Sequence, residues 1–145
     1  MKLDLRSAGL HQFPVGLTGL LDLEVLLLSN PVRSRDRGLH NRGGGSSVHT
    51  NSVKTNTLWN LPTEFSCLRG LVHLEASNVN LTALPTGLGS LSCLQYLDVS
   101  VNLISWLPEE ILTLGKLETL NVAENSLVNL PTGKSVNYFN ELPDR

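Results

Sequence analysis

The sequence predicts an α/β solenoid of about five stacked units, each made of a short strand, a turn and a helical or 3-10 segment, with the strands forming one parallel sheet. Three observations carry this. Leucine supplies 31 of the 145 residues, a share well above ordinary usage. Landmarks recur every 23 residues: Leu71, Leu94 and Leu117; Leu74, Leu97 and Leu120; Leu84, Leu107 and Leu130, each followed by proline at Pro85, Pro108 and Pro131. Finally, each unit changes its hydrophobic period from two to three or four part-way along, as a strand followed by a helical turn does.

The front of each unit is the strand. Leu97-Asp98-Val99 and Leu120-Asn121-Val122 alternate apolar and polar, the pattern of a half-buried strand. The back half, as in Leu107-Pro108-Glu109-Glu110-Ile111-Leu112-Thr113-Leu114, has apolar spacings of three and four. Its proline at the first turn and its acids beside the N-terminus predict a helical turn or two. One such unit cannot bury its own leucines, so units must stack and seal one another's apolar faces.

Read from the N-terminus, Leu3, Leu5, Leu10, Phe13-Pro14, Leu17 and Leu20 form an opening unit that begins inside the repeat. The second unit starts at Leu23, Leu26 and Leu28, reaches Ser29-Asn30 as its asparagine position with one residue missing, and breaks off. It resumes at Leu58, Leu61-Pro62, Phe65 and Leu68; from Leu23 to Leu71 is 48 residues, one period plus 25. The expected organisation is therefore repeats over 1–32, an insertion over 33–57, repeats over 58–133 and a tail or partial cap over 134–145.

Written out, the unit is L-x-x-L-x-L/V/A-x-x-N-x-L/I-x-x-L-P-x-x-L/I-x-x-L, with Asn102 and Asn125 at the asparagine position. This closely resembles the leucine-rich repeat, whose sheet lines the concave side of an arc. The Leu-Pro form at period 23 looks like the intracellular Scribble and Ras-suppressor group. The resemblance implies a cytoplasmic, non-catalytic protein-interaction module of the scaffold or signalling kind, with no cofactor. Its alternative is the targeting part of a larger enzyme, a kinase or ubiquitin ligase, whose catalytic domain is absent. Val79 and Ala8 at asparagine positions depart from the pattern.

Composition narrows the partner. A formal net charge of -2 gives no field that favours nucleic acid or membrane. No apolar run reaches the roughly 20 residues of a membrane span, and Met1-Lys2-Leu3-Asp4-Leu5 lacks the apolar stretch of a leader. Residues 33–57 carry Arg33, Arg35, Arg37, Arg42 and Lys54 against Asp36, so 5 minus 1 is +4; the remainder holds 6 basic and 12 acidic residues, or -6. The insertion reads as a disordered, solvated arm, without the aromatic residues that RNA stacking requires. Gly133-Lys134-Ser135 imitates a phosphate loop, but Val128 stands where its first glycine belongs.

Cys67 and Cys93, the only cysteines, exclude a disulfide scaffold and a four-cysteine zinc site. They read as buried inert thiols, and a reducing compartment suits them. His11, His40, His49 and His73 match no triad or metal spacing, so no catalytic residue and no metal ligand is expected. Trp59 and Trp106 read as shields for the core edge. Asn80-Leu81-Thr82 has the form of a glycosylation acceptor but reads as coincidental without an export signal.

What remains is the outward face of the sheet. In each strand the leucines point in and the residues between them point out. One outward column is Asp4, Leu27, Glu75, Asp98 and Asn121; the column before it is Lys2, Val25, His73, Tyr96 and Thr119. The expected partner-binding residues are His73, Glu75, Tyr96, Asp98, Thr119, Asn121 and Glu124, with Glu118 and Glu124 deepening the charge. The expected ligand is a basic or hydroxyl-rich peptide or protein surface, anchored on Tyr96, with Glu75 and Asp98 setting charge preference. No small-molecule substrate is expected.

Overall fold

The computed structural model describes residues 1–31 and 54–131. Five three-residue strands, β1 (Lys2–Asp4), β2 (Val25–Leu27), β3 (His73–Glu75), β4 (Tyr96–Asp98) and β5 (Thr119–Asn121), form one parallel sheet in chain order. Between successive strands the chain returns through 3-10 turns at Val15–Gly19, Thr63–Cys67, Thr86–Ser90 and Glu109–Thr113. Each turn follows a proline, Pro14, Pro62, Pro85 or Pro108, in extended conformation. Proline stops the strand geometry and presets φ for the turn that follows. Glu64, Glu109 and Glu110 sit in the first turns, where the backbone dipole favours acids.

The register is the 23-residue offset made physical: Leu3, Leu26, Leu74, Leu97 and Leu120 are aligned across all five strands. The last four of these are buried, and Leu3 is only partly buried at the first edge. Behind the sheet Leu71, Leu81, Leu88, Leu91 and Leu94 have no exposed surface. Each fully buried leucine contributes about 2 kcal/mol of apolar transfer. In the second unit Phe65 takes the leucine place and meets Phe13 edge-on, with ring centroids 5.4 Å apart. Close approach of the third and fourth 3-10 turns demands Gly89, since a Cβ there would lie 2.9 Å from the Glu110 carbonyl oxygen.

Asparagines tie the fourth and fifth units to the ones before them, Asn102 buried and Asn125 half-buried. Asn102 accepts from the backbone N–H groups of Val79 and Leu81 through Oδ1, and its Nδ2 donates to the carbonyls of Ala76, Val99 and Ser100. Asn125 repeats this with Ile104, Val99, Val122 and Ala123. Such an amide satisfies several backbone groups that the turn would otherwise bury unpaired.

In the second unit this role belongs to Asn56 and not, as the sequence pattern implied, to Asn30. Asn56 is 1% exposed; its Oδ1 accepts from Leu10 N–H, and its Nδ2 donates to the carbonyls of Leu5 and Leu28. These are the contacts of Asn102 with Leu81, Ala76 and Val99 shifted by two units. Asn30 occupies the preceding position, accepting from Asn56 N–H and donating to the carbonyls of Asn56 and Asn78. The body of the second unit therefore takes up again at Asn56 rather than Leu58, and the apparent missing residue lies 26 positions downstream. Residues 33–53 of the expected insertion, and the tail from 134 onward, lie outside the described residues.

The backbone marks the same place. Ser7, Asn78, Val101 and Glu124, each one residue before an asparagine position, have φ of 53°, 55°, 54° and 51°. Asn30, their equivalent, is not among the positive-φ residues, because there the chain leaves the repeat path. For Val101, left-handed geometry is strained by its branched Cβ, at a cost of about 1–2 kcal/mol.

Two expectations about side chains are corrected. Cys67 is exposed and Cys93 intermediate, because Cys67 ends a 3-10 turn on its outer side while the neighbouring Leu68 takes the buried place. Trp59 and Trp106 cover the core edge less than expected: they are 51% and 49% exposed, and Leu58 and Leu107 beside them fill the interior.

Candidate functional site

The two outward columns stand as parallel rows on the sheet face, because strand register places Lys2, Val25, His73, Tyr96 and Thr119 side by side, and Asp4, Leu27, Glu75, Asp98 and Asn121 beside them. Neighbouring members are about 4.8 Å apart. On β3 to β5, His73, Glu75, Tyr96, Asp98 and Asn121 are half-buried and Thr119 is exposed. Glu124 is exposed on the turn past β5, outside both rows. Leu27 is outward yet only 4% exposed, so the acidic row is interrupted by an apolar residue.

His73 and Tyr96 are stacked, with ring centroids 4.2 Å apart and planes 4° from parallel. His73 Nε2 lies 3.0 Å from Glu75 Oε1, which orients the imidazole against the phenol. Burial, then the Asp98 and Glu75 carboxylates, push the Tyr96 hydroxyl above its ordinary pKa. Tyr96 therefore stays a neutral phenol near pH 7, in a negative field.

The acids differ in how much of their charge is offered. Asp4 is engaged by Arg6, whose Nε donates to both carboxylate oxygens at 3.0 and 3.2 Å and whose Nη2 donates at 2.6 Å. The Arg6 guanidinium beside it, with Arg6 N–H, holds the Asp4 carboxyl at about 2. The same contact raises the Arg6 pKa. Asp98 Oδ1 accepts from Ser100 N–H and Oγ, and Oδ2 from Asn121 Nδ2 at 3.2 Å. Asn121 Oδ1 in turn accepts from Ala123 N–H. Glu75, one methylene longer, forms no such local turn. Ser77 N–H is instead taken by Ser29 Oγ.

Sequence reasoning missed Arg6 and Ser100, though a signal existed: both lie two residues after an acid of the outward column, where side chains share a face. It also missed that a recess of about 340 Å³ lies between Arg6, Ser7, Ser29, Asn30, Pro31 and Glu75. Pro31, the last described residue before the insertion, thus lines the same hollow as Glu75. Among the described residues no three His, Cys, Asp or Glu side chains gather to hold a metal ion, and no described helix is long and apolar enough to cross a membrane.

No protein-family model matches the chain, and neither does any curated protein. Solved structures do. The leucine-rich repeat ectodomain of the plant membrane receptor kinase GASSHO1/SCHENGEN3 from Arabidopsis thaliana, in complex with CASPARIAN STRIP INTEGRITY FACTOR 2, is 26% identical with a TM-score of 0.58, over 81% of this chain and 11% of that one. The BIR3–SERK2 complex from Arabidopsis thaliana is 25% identical with a TM-score of 0.65, over 90% and 59%. A leucine-rich repeat protein of Leptospira interrogans is 27% identical with a TM-score of 0.54, over 81% and 29%. The chain thus spans 11% to 59% of the length of these neighbours.

Proposed function

We propose that this chain, a leucine-rich repeat solenoid, is a protein-interaction module that docks a peptide or protein with a basic surface on the outward face of β3 to β5. The observation that carries the reading is the Tyr96–His73 stack set among carboxylates on an open sheet face. A rigid aromatic pair offers contact area at low entropic cost, and the acids set charge preference. The neighbours support it: one of them is a receptor-kinase ectodomain in complex with CASPARIAN STRIP INTEGRITY FACTOR 2, and another is the BIR3–SERK2 complex. The 23-residue Leu-Pro form supports placing the chain with the intracellular scaffold and signalling group, in the cytoplasm and without catalysis of its own.

A second reading, the targeting part of a larger enzyme, is favoured by the short span of this chain on a receptor-kinase ectodomain. Flanking coding sequence that encodes a kinase or ubiquitin-ligase domain would establish it.

The test of docking is affinity capture with the full chain and with Glu75→Lys/Asp98→Lys. A partner retained by the native chain, released by rising salt and lost with the double variant supports the reading. Retention that is indifferent to both overturns it.

A further inference from the structure

We infer that the free face of the Tyr96 ring, bounded by Thr119 and Asp98, seats an arginine side chain of the docked partner. This rests on the reading that the sheet face is the docking surface, and it names the chemistry recognised there.

The geometry comes from the stack. His73 on β3 covers one face of the Tyr96 ring with near-parallel planes, so the opposite face is turned toward β5. The register partner there is Thr119, which is small and exposed, and no aromatic ring of the described residues stacks on that side. Glu75 holds His73 in place by its 3.0 Å contact, so the ring is backed by a fixed neighbour.

The charge around this face is one-sided. Among the outward residues of β3 to β5 there is no lysine or arginine, while Glu75 and Asp98 are acidic. Both carboxylates bear on the Tyr96 hydroxyl, which shows that their fields reach the ring. Arg6, paired with Asp4, also lies toward Glu75 across the recess, so the carboxylate that the free ring face meets is that of Asp98.

Arginine suits this place better than lysine. A guanidinium is planar and stacks flat on a phenol, and it is weakly hydrated, so it surrenders less on contact. Its remaining N–H groups have acceptors alongside. Asp98 Oδ2 has only the 3.2 Å contact from Asn121, and the Thr119 hydroxyl forms no hydrogen bond among the described residues. A lysine ammonium can meet the carboxylate but gains little from the ring face.

The experiment uses the full chain and two probes, N-acetyl-arginine amide and N-acetyl-lysine amide, followed by the NMR ring signals of Tyr96 and His73. The arginine probe is expected to shift the Tyr96 signals with an affinity about fivefold tighter than the lysine probe. Tyr96→Ala should abolish that preference. Asp98→Asn, which keeps the Ser100 N–H contact and hence the local turn but gives up the Asn121 contact, should weaken the arginine probe while leaving signals away from Asn121 unchanged. Equal response to both probes, or an arginine preference that survives in Tyr96→Ala, overturns the seat. If the captured partner is lost with Glu75→Lys/Asp98→Lys while the arginine probe shows no preference, the seat is wrong and docking stands. If the probe binds as expected while partner capture ignores the double variant, docking on this face is wrong, and the seat falls with it as a partner site although the ring face binds arginine.

Discussion

At the scale of single residues, what separates the acids of the sheet face is their nearest donor. Asp4, on the exposed first strand, is held at about 2 because Arg6 reaches it from two residues on. The pKa is lowered on folding, so the favourable contact is complete above the ordinary carboxylate range and disappears as pH falls from about 4 through about 2. An NMR titration of the Asp4 carboxyl carbon should give a midpoint near 2, and Arg6→Gln should return it toward 3.8. A midpoint unmoved by that substitution would mean that Arg6 is not the cause. The pair is exposed, so its contribution is screened by salt.

Among elements, the second unit is the informative one. Asn30 and Asn56 are hydrogen-bonded to each other across 26 positions of sequence, and joining them directly would recreate a unit of 23 residues. Residues 31–55 can then be deleted without disturbing the register of β2 and β3. Asn30 would have to enter the left-handed region used by Ser7, Asn78, Val101 and Glu124, which asparagine does at little cost. The described contacts forfeited are the exposed hydrogen bond from Asn78 Nδ2 to the Pro31 carbonyl and the packing of the Lys54 side chain beside Gly9. Removing a closed loop of this length should stabilise the chain by about 2 kcal/mol. Urea unfolding of the deleted chain should therefore remain cooperative with a higher midpoint, whereas a broad, early transition would show that the segment supports the fold.

For the molecule as a whole, each unit is sealed only by its neighbours, so the cost of a lesion depends on where in the stack it falls. Leu97 is completely buried between two strands, while Leu3, its equivalent at the first edge, is partly buried. Leu97→Ala should cost about 3 kcal/mol or more, and Leu3→Ala about 1 kcal/mol. Denaturant midpoints compare them directly; equal losses would contradict a stack stabilised unit by unit.

The periodicity by itself determined the class of fold, the parallel order of the strands, their register and which leucines are interior. Each of these follows from local alternation and a constant repeat length. It also determined which residues share the outward face. What it could not contain was the part that depends on distant chain segments meeting. Asn56 stands in a polar stretch that reads as loop, and only the return of the chain beside Leu5, Leu10 and Leu28 makes it the buried amide of the second unit. The exposure of Cys67, Trp59 and Trp106 was likewise decided by which neighbour on the turn took the interior place. So was the inequality of the acids. Asp4, Glu75 and Asp98 are alike in sequence pattern, yet Arg6, His73, Ser100 and Asn121 engage them differently. A carboxylate's field depends on donors a few ångströms away, and those distances exist only once the chain has folded.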